Sequence, residues 1–566
     1  MLPERFRWWL RRYGFVLTVY ILATWFTDAD FMGDTIDYVD SIVARIEGRN
    51  YYFWEFAHLL WRPLGFLFSF LSTPLTRFVV GDNIYANLSF QLIILSWFAG
   101  LAGVVLTYSL VILLFKKELV ANVVAVAFVF SQAVLNYAQT GSSYVPGLSL
   151  LTLGLYIVAR GGAKSSVRTA MLAALALAGS VFLWVTYVLA LPAALLSPLF
   201  FFGFEKRRLR LVILTSIACF LIIGFVYGLV LINLKIHNLT QLRAWMSASA
   251  DAAFLPRGGV FRTIFSLARS FISMGNEGVI FKRFLLQDPF NPVSLFDLVR
   301  ISLWKLAAFY LFIGSIVINA LRTKPGVRLI GLLLIGSAPV LTLALLLEAG
   351  AVDRYMPLYP FVFLTFACAL SSAKSVRGLN FIAIGFAAAT IVTNVQALAN
   401  PVLNRQQEAA VARIRELQPR LKPGTLLFTI NLRDELVNFN RTFLFNPINL
   451  DSDHRFQVAS IITPGARELA NWRQEFSTRA LMVWEKGADV WISKRVLSPT
   501  PKANWDWVEG DDPRVSWIDV YKFFSQVEMG ESLGDADGFF LMVPSTRNFE
   551  LLKGWKMKVA ERNDAY

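Results

Sequence analysis

The sequence predicts a polytopic α-helical membrane protein that carries a soluble domain at its C-terminal end. Its 566 residues are 56% hydrophobic and only 16% charged, whereas soluble domains carry about 25% charged residues. Apolar runs close to the ~20 residues that cross a bilayer recur throughout the first 399 residues. From residue 400 onward the composition becomes that of an ordinary soluble domain. These observations exclude a single soluble globular domain.

The order of apolar and basic segments predicts about eleven transmembrane helices. Short Lys and Arg clusters, such as RFRWWLRR at 5–12 and EKRRLR at 205–210, recur between the apolar runs. The positive-inside rule places such clusters in the cytoplasm, so we expect a cytoplasmic N-terminus and an extracytoplasmic C-terminal domain. The net charge of +15 therefore reflects topology and not nucleic-acid binding. The predicted spans are 13–27, 88–115, 118–135, 145–160, 170–184, 186–203, 211–234, 298–321, 328–348, 355–373 and 378–398.

The first apolar run is predicted to be a retained anchor. It follows a basic stretch, as a signal peptide does, but ATWFTDADF at 23–31 offers no small-x-small cleavage site. The two cysteines, Cys219 and Cys368, both lie in predicted spans, so we expect no extracytoplasmic disulfide. The low cysteine count and the moderate length favour the plasma (inner) membrane of a bacterium or archaeon.

The chain is predicted to have two domains: a transmembrane domain at 1–399, with external loops at 28–86 and 235–297, and a soluble α/β domain at 400–566. Alternation of helical and short apolar segments is typical of an α/β fold. The predicted elements are a helix at 405–424, a strand at 425–431, a helix followed by a strand within 476–496, a helix at 517–528 and a strand within 537–544.

An acidic stretch, TDADFMGDTIDYVDSI, opens the first external loop. Apolar residues follow Asp34 at helical spacing, which predicts an amphipathic helix suited to the membrane surface. Asp37 falls on its polar side. Asp34 is compatible with two roles, an N-cap for this helix or a site carboxylate. The D-x-D pattern formed by Asp28 and Asp30 is compatible with binding of a divalent metal, Mg²⁺ or Mn²⁺. It is equally compatible with solvated carboxylates where the chain leaves the membrane.

Two further segments place polar residues at the predicted outer membrane face. HLLWRPLG at 58–65 contains His58 and Arg62, and Arg62 is compatible with a bidentate phosphate site or with snorkelling to lipid headgroups. EAGAVDRYMPLYPF, at 348–361, contains four polar or aromatic candidates. The second external loop is basic where the positive-inside rule predicts few cations, which favours an anionic partner such as a lipid phosphate. The candidates in these last two segments are Glu348, Asp353, Arg354, Tyr355 and Arg257.

Four short motifs together resemble the GT-C superfamily of membrane glycosyltransferases. GDTIDY at 33–38 is similar to the D-E-x-x-Y signature of the protein-mannosyltransferase-like branch, with Asp34 and Tyr38 matching and Thr35 replacing the second acid. HLLWRPLG with NIYANLSF at 83–90 is similar to an H-x-x-x-R-P-L stretch followed by an Asn-rich segment. DRYMPLYPF at 353–361 is similar to an R-Y-x-x-P-x-x-P segment.

The resemblance implies a multi-pass membrane transferase that uses a polyprenyl-phosphate sugar donor and has its active site outside the cytoplasm. The acceptor would be a glycan, a lipid or a protein. An inverting transfer needs one general base, which the resemblance assigns to Asp34, and a cation for the leaving phosphate, for which it offers Arg354 and Arg62. The secondary site candidates are His58, Asp30, Asp37, Tyr38, Glu348, Asp353, Tyr355 and Arg257.

Two other function classes stay open at this level. A polysaccharide polymerase or ligase also needs cations at the outer face. A flippase or transporter for a lipid-linked sugar would bury ionisable residues inside its spans, whereas the predicted spans are nearly free of charge.

Overall fold

The computed structural model describes most of the chain and divides it into two compact units. The first unit comprises Met1–Asp82, Asn87–Met274 and Ser302–Asn400, and the second comprises Asn83–Ala86, Gly275–Ile301 and Pro401–Tyr566. The described residues are 4–29, 34–46, 48, 53–80, 84–162, 166–249, 259–274, 284, 293–347, 349–399, 421–422, 424–431, 456–462, 472–497, 523–533 and 538–563.

Helices dominate the described residues up to 399. Those before residue 300 are α1 Glu4–Phe26, α2 Thr35–Ile46, α3 Trp61–Val80, α4 Ile84–Phe115, α5 Glu118–Val129, α6 Gln132–Tyr137, α7 Tyr144–Gly161, α8 Val167–Leu183, a 3-10 turn Val185–Ala190, α9 Leu191–Phe202, α10 Lys206–Asn233, α11 Leu239–Ser249, α12 Val260–Phe271 and α13 Leu295–Leu298. Those that follow are a π turn Val299–Leu303, α14 Trp304–Leu321, α15 Lys324–Leu346, a 3-10 turn Asp353–Leu358, α16 Tyr359–Ser371 and α17 Arg377–Ala397.

The predicted polytopic architecture is confirmed: ten of the eleven predicted spans fall on a helix or on a helix with its preceding turn, and the span at 118–135 covers two helices, α5 and α6. Two apolar helices, α5 and α8, are shorter than a full span. Within the described residues, seven helical stretches are long and apolar enough to cross a membrane: Asn87–Phe115, Tyr144–Gly161, Val185–Phe202, Lys206–Asn233, Leu295–Leu321, Lys324–Leu346 and Arg377–Ala397.

Local sequence signals set several helix ends. The hydroxyl of Ser166 accepts a hydrogen bond from the backbone N–H of Thr169 at 3.1 Å and caps α8. Thr323 caps α15 in the same way, at 3.1 Å from the N–H of Gly326, with Pro325 in the first turn where no helical N–H is lost. Gly203 ends α9 at φ +92°, a conformation that costs glycine little.

Helix α2 is the amphipathic helix predicted after Asp34, but its apolar side faces protein. Val39, Ile42 and Val43 are each at most 2% exposed. A Cβ on Gly65 of α3 would lie only 2.9 Å from Cδ1 of Ile42, so α2 lies directly against α3. The expectation that this side lies along the membrane is therefore wrong, because the helical spacing of apolar residues does not distinguish lipid from a protein partner.

The second unit contains the predicted C-terminal α/β domain. Its described elements are β1 Thr425–Asn431, β2 Phe456–Ile462, α18 Trp472–Glu485, β3 Val490–Ser493, α19 Lys494–Leu497, β4 Met529–Leu533, β5 Phe539–Met542 and α20 Thr546–Asn563. The strands form one sheet in the order β2-β1-β3-β5-β4, in which β1 pairs in parallel with β2 and β3 while β5 is antiparallel to β3 and β4. Phe428 of β1 and Phe476 of α18 pack with ring centroids 4.4 Å apart in its core.

Most sequence predictions for this domain fall on described residues. The strand at 425–431, the helix and strand within 476–496 and the strand within 537–544 are confirmed as β1, α18 with β3, and β5. The predicted helices at 405–424 and 517–528 lie largely outside the described residues.

Candidate active site

Asp34 precedes the first residue of α2, and two tyrosines hold its carboxylate. The hydroxyl of Tyr144, the first residue of α7, donates a hydrogen bond to Oδ2 of Asp34 at 2.6 Å. The hydroxyl of Tyr38, one helical turn into α2, donates to the same oxygen at 3.2 Å. The Asp34 side chain is 32% exposed. The carboxylate is thus fixed through one oxygen and still reachable from outside.

Tyr38 keeps its proton in this position. Its ring is buried, and burial together with the negative charges of Asp34 and Glu55 raises its pKa well above the ordinary value of 10.0. The hydroxyl therefore remains a hydrogen-bond donor to Asp34 throughout the physiological pH range.

A buried ionic cluster lies beside Asp34. Oε2 of Glu55 contacts Nδ1 of His58 at 3.1 Å and also binds the guanidinium of Arg62. Glu55, His58 and Arg62 are 8%, 5% and 4% exposed. Nε2 of His58 lies 4.0 Å from Oδ2 of Asp34, and the guanidinium carbon of Arg62 lies 5.0 Å from the centroid of the Tyr38 ring. Polar side chains from α2, α3 and the loop between them meet at this point.

The charge state of Glu55 follows from these contacts. Burial opposes ionisation of the carboxyl, but the charges and hydrogen bonds of His58 and Arg62 outweigh it and hold the pKa of Glu55 below its ordinary value. Glu55 is therefore a carboxylate at neutral pH, and it accepts hydrogen bonds from both neighbours.

Main-chain hydrogen bonds anchor the loop that carries Glu55 and His58. The N–H of Leu60 donates to the carbonyl of Phe182 at 3.0 Å, and the N–H of Val185 donates to the carbonyl of Ala57 at 2.8 Å. The indole of Trp245 in α11 donates to the carbonyl of Trp54 at 2.8 Å. Because the loop is bonded to three other segments, its side chains hold fixed positions relative to α8 and α11.

The turn between α6 and α7 brings Tyr144 to Asp34. The indole N–H of Trp61 donates to the carbonyl of Gly141 at 2.8 Å. A Cβ on Gly141 would lie 2.6 Å from Cγ2 of Thr35 and 2.8 Å from Cβ of Leu92, which is closer than real contacts allow. The absence of a side chain at this position lets the start of α2 approach the turn.

Arg354 lies at the start of the 3-10 turn Asp353–Leu358 and is oriented by two residues that follow α8. Its guanidinium donates to the hydroxyl of Thr186 at 3.0 Å and lies 5.6 Å from the centroid of the Trp184 ring. A guanidinium held in this way presents a planar fork of the type that recognises phosphate.

An aromatic pair connects the carboxylate side of the site to the cation side. Tyr144, which binds Asp34, packs on Trp184 with ring centroids 4.7 Å apart, and Trp184 in turn contacts Arg354. The hydroxyl of Tyr137 donates to Oδ1 of Asp353 at 3.4 Å. The first unit therefore brings together residues from five parts of the sequence in one polar and aromatic site.

Several predicted candidates lie in or beside this site. Tyr38, His58, Arg62, Asp353 and Arg354 belong to it through the contacts above. Tyr355 follows Arg354 but is fully buried, and its hydroxyl donates to the carbonyl of Ala349 at 3.0 Å, so this side chain packs in the interior.

The other candidates lie apart from it or outside the described residues. Asp37 is exposed on α2. Asp28 is buried, its backbone N–H donates to the carbonyl of Leu398 at 2.7 Å, and its Oδ1 accepts from the N–H of Ala29 at 3.2 Å. Among the described residues no three His, Cys, Asp or Glu side chains are placed to hold a metal ion. Asp30, Arg257 and Glu348 lie outside the described residues.

Sequence reasoning missed the aromatic half of the site. Tyr144, Trp184 and Thr186 are not among the sequence candidates, although two predicted spans, 170–184 and 186–203, meet next to Trp184 and Thr186. The segment WVTY at 184–187 interrupts two apolar runs with polar and aromatic residues. This interruption is a sequence signal that points to Trp184 and Thr186.

The fold is similar to that of a protein of known structure, ArnT. The crystal structure of ArnT from Cupriavidus metallidurans bound to undecaprenyl phosphate superposes with a TM-score of 0.51 at 11% identity, covering 95% of this chain and 98% of that chain. An oligosaccharyltransferase from Archaeoglobus fulgidus in complex with Zn and sulfate gives 0.47 at 13% identity, covering 93% of this chain and 73% of that one. The arabinofuranosyltransferase AftD from mycobacteria gives 0.46 at 14% identity, covering 95% and 40%.

Sequence comparison finds no matching family model and no matching curated protein. At 11% identity, the likeness to ArnT is one of fold, and it extends over nearly the whole of both chains. The resemblance found in the sequence motifs agrees with this likeness, and the chain has a GT-C fold.

Proposed function

We propose that the protein is an inverting membrane glycosyltransferase that moves a sugar from a polyprenyl-phosphate donor to an extracytoplasmic glycan, lipid or protein. It would work in the plasma (inner) membrane with its N-terminus in the cytoplasm. The observation that carries the proposal is the Asp34 carboxylate, which is partly exposed and held by the hydroxyls of Tyr38 and Tyr144 beside a buried ionic cluster. The GT-C fold and the undecaprenyl phosphate bound to ArnT support this choice of donor.

Asp34 acts as the general base. An acceptor hydroxyl must lose its proton as it attacks the anomeric carbon, and one carboxylate within hydrogen-bond reach performs this task. Both tyrosine hydroxyls bind Oδ2, so the acceptor hydroxyl is placed against Oδ1. Direct attack of the acceptor oxygen on the anomeric carbon inverts its configuration, and this single displacement needs no second carboxylate to form a covalent sugar intermediate.

Arg354 receives the leaving phosphate. The phosphate departs with a negative charge, and a fixed guanidinium stabilises that charge in the transition state. Arg62, the other candidate, is 4% exposed and binds Glu55, so the proposal gives it a positioning role. A divalent metal stays a prediction, and of its expected ligands Asp28 is buried against the backbone. No step of this mechanism uses the metal.

The test is release of polyprenyl phosphate. Purified protein in lipid is incubated with a panel of polyprenyl-phosphate sugars and a mixture of glycan, lipid and peptide acceptors. Sugar transfer with release of polyprenyl phosphate supports the proposal. Movement of intact donor across the bilayer without release would instead support a flippase or transporter. Use of a polyprenyl-diphosphate glycan alone would support a polymerase or ligase.

A further inference from the structure

Helix α3 has the opposite polarity to a surface helix of a soluble protein. Such a helix turns its apolar side to the core and its polar side to water. Among the described residues of α3 that follow Trp61, the buried ones are all polar or glycine: Arg62, Gly65, Ser69, Ser72 and Thr76. Apart from Arg77, the exposed side is apolar. This apolar stripe includes Leu64, Leu67, Phe70, Leu71, Leu75 and Phe78, which are 43% to 90% exposed.

The polar side of α3 needs no water. The hydroxyls of Ser69 and Ser72 each donate to a carbonyl of their own helix at 2.7 Å. The hydroxyl of Thr76 accepts a hydrogen bond from Nε2 of Gln91 in α4 at 2.9 Å. A helix in lipid satisfies its polar groups within the protein in this way, because hydrocarbon offers no hydrogen-bond partner. The distribution of residues on α3 is therefore that of a helix immersed in lipid.

Helix α3 lies across α4 and does not run alongside it. Leu92 of α4 meets α3 at Gly65, where an added Cβ would lie 2.7 Å from Cδ2 of Leu92. The neighbouring residue, Gln91, donates to the hydroxyls of Thr73 and Thr76 at 3.0 and 2.9 Å. Gly65 and Thr76 are about 16 Å apart along α3, whereas Gln91 and Leu92 are about 1.5 Å apart along α4. Two helices that touch in this way cross at a large angle.

This crossing favours a position of α3 in the plane of the outer leaflet. Helix α4 contains one of the stretches that can cross a membrane, Asn87–Phe115, whereas α3 is not among those found in the described residues. The basic clusters predict that residues 28–86 lie outside the cytoplasm, so α3 begins and ends on the same side of the bilayer. An in-plane helix with one apolar side buries that side about 5–10 Å into the boundary between headgroups and acyl chains.

We propose that α3 is an in-plane helix of the outer leaflet and that acyl chains cover its apolar stripe. The helix carries the carboxylate side of the candidate site. It follows directly on the loop that holds Glu55 and His58, and Gly65 packs on Ile42 of α2. Immersion of α3 therefore holds Asp34, the residue before α2, at the depth of the lipid headgroups, where the phosphate of a polyprenyl donor lies. This last step rests on the proposed function, whereas the position of α3 does not.

The first test measures the depth of the apolar stripe and uses no substrate. Cys219→Ala with Cys368→Ala removes both native thiols, and a nitroxide label is then attached to one new cysteine at a time in the full chain. EPR power saturation with oxygen and with nickel–EDDA gives the depth of each label in bilayers of phosphatidylcholine and phosphatidylglycerol. We expect similar depths, below the headgroups, for all labels on the stripe. The labelled variants are Leu67→Cys, Leu71→Cys, Leu75→Cys and Phe78→Cys.

Helix α10 provides the matched control. Leu221 and Ile232 are exposed on this candidate span, 68% and 74%, and they have the same separation in the chain as Leu67 and Phe78. Labels on Leu221→Cys and Ile232→Cys should therefore differ in depth by up to about 16 Å.

Three results would overturn the proposal. A difference of about 16 Å between the labels at Leu67 and Phe78 would make α3 a spanning helix. Ready access of nickel–EDDA to all four labels would place the stripe in water. Exclusion of both relaxation agents from all four labels would place it against a second copy of the chain or another protein.

The second test asks whether the immersion of α3 serves the site. With a donor that the wild-type protein uses, Leu67→Asn with Leu71→Asn should lower the transfer rate from the long-chain donor in bilayers. The rate from a water-soluble short-chain analogue should fall much less, because its phosphate is not fixed at headgroup depth. Equal losses with both donors would overturn the link between α3 and the site. If the wild-type protein releases no polyprenyl phosphate from any donor, the proposed function fails, and the EPR depths still decide the position of α3.

Discussion

The hydroxyl of Tyr144 donates a 2.6 Å hydrogen bond to Oδ2 of Asp34 across 110 positions of the chain. This contact joins the start of α7 to the start of α2. Because Tyr144 also packs on Trp184, which contacts Arg354, one tyrosine links the carboxylate and the cation that the proposed reaction needs.

Asp34→Asn should abolish sugar transfer and leave the protein folded. The amide keeps the shape of the carboxylate and still accepts from the two tyrosine hydroxyls, but it cannot take a proton from an acceptor. Released polyprenyl phosphate measures activity, and size-exclusion chromatography in detergent checks the fold. Asp37→Asn is the matched control, since Asp37 is exposed on the same helix and should keep near-wild-type activity. Full activity of Asp34→Asn would rule out Asp34 as the base.

Arg354→Ala should weaken use of the donor far more than use of the acceptor. Loss of a charge-assisted contact to phosphate costs about 1.5–3 kcal/mol, which corresponds to about 10- to 150-fold in kcat/KM for the donor. Arg354→Lys should recover only part of this, because an ammonium lacks the planar fork. Initial rates at varied donor and acceptor concentrations give both constants, with Arg300→Ala as control because that side chain is 67% exposed. Equal effects on donor and acceptor would argue against phosphate binding.

Tyr144→Phe should reduce kcat more than Tyr38→Phe. Both variants remove a donor to Oδ2 of Asp34, but the Tyr144 bond is 2.6 Å long and the Tyr38 bond is 3.2 Å, and shorter charge-assisted bonds are stronger. We expect a loss of about 10-fold or more for Tyr144→Phe and a smaller one for Tyr38→Phe. Apparent Tm values in detergent separate this effect from unfolding. A larger loss for Tyr38→Phe would reverse the assigned order.

The features that were predicted correctly from the sequence are those that depend on local residue patterns. Hydrophobic runs located the helices, since a bilayer-spanning segment needs only length and apolar composition, and helical spacing located α2. The strand at 425–431 was predicted with the bounds that the structure shows. An apolar run rich in strand-forming residues lies there between Pro-Gly and polar residues.

The rest depends on contacts between distant segments. Tyr144 and Trp184 lie in apolar helix ends and acquire a role only through packing against Asp34 and Arg354. From the sequence alone, Arg62 has the features of a cation at the membrane interface. In the structure, the loop places Glu55, seven positions earlier in the chain, against it. Likewise, the sequence predicts that the apolar side of α2 faces lipid, whereas in the structure α3 covers it. In each case the role of the residue depends on the residue that it contacts, and a local sequence pattern does not identify that residue.

Gly141→Ala should uncouple Asp34 from Tyr144. The added methyl group would lie 2.6 Å from Cγ2 of Thr35 and 2.8 Å from Cβ of Leu92, so α2 must move away from the turn. We expect a destabilisation of about 1–3 kcal/mol from overpacking and a loss of transfer at least as large as that of Tyr144→Phe. Gly224→Ala in α10, where nothing lies within 4 Å of the added Cβ, is the control. An active and stable Gly141→Ala protein would contradict this close approach.

Because Glu55 is ionised in the folded protein, the stability of the folded protein should fall at acid pH. Its pKa in the folded protein lies below the ordinary value, so the unfolded chain takes up the proton first as the pH falls. The stabilising contribution of Glu55 is therefore fully present above the pKa that Glu55 has in the unfolded chain, and it is lost as the pH falls through the lower pKa of the folded protein. Glu55→Gln leaves Arg62 as a buried cation without its carboxylate, which costs about 3–5 kcal/mol at neutral pH. Apparent Tm measured from pH 7 to pH 3.5 should accordingly fall less steeply in Glu55→Gln than in the wild-type protein. Parallel curves would show that another group controls the acid response.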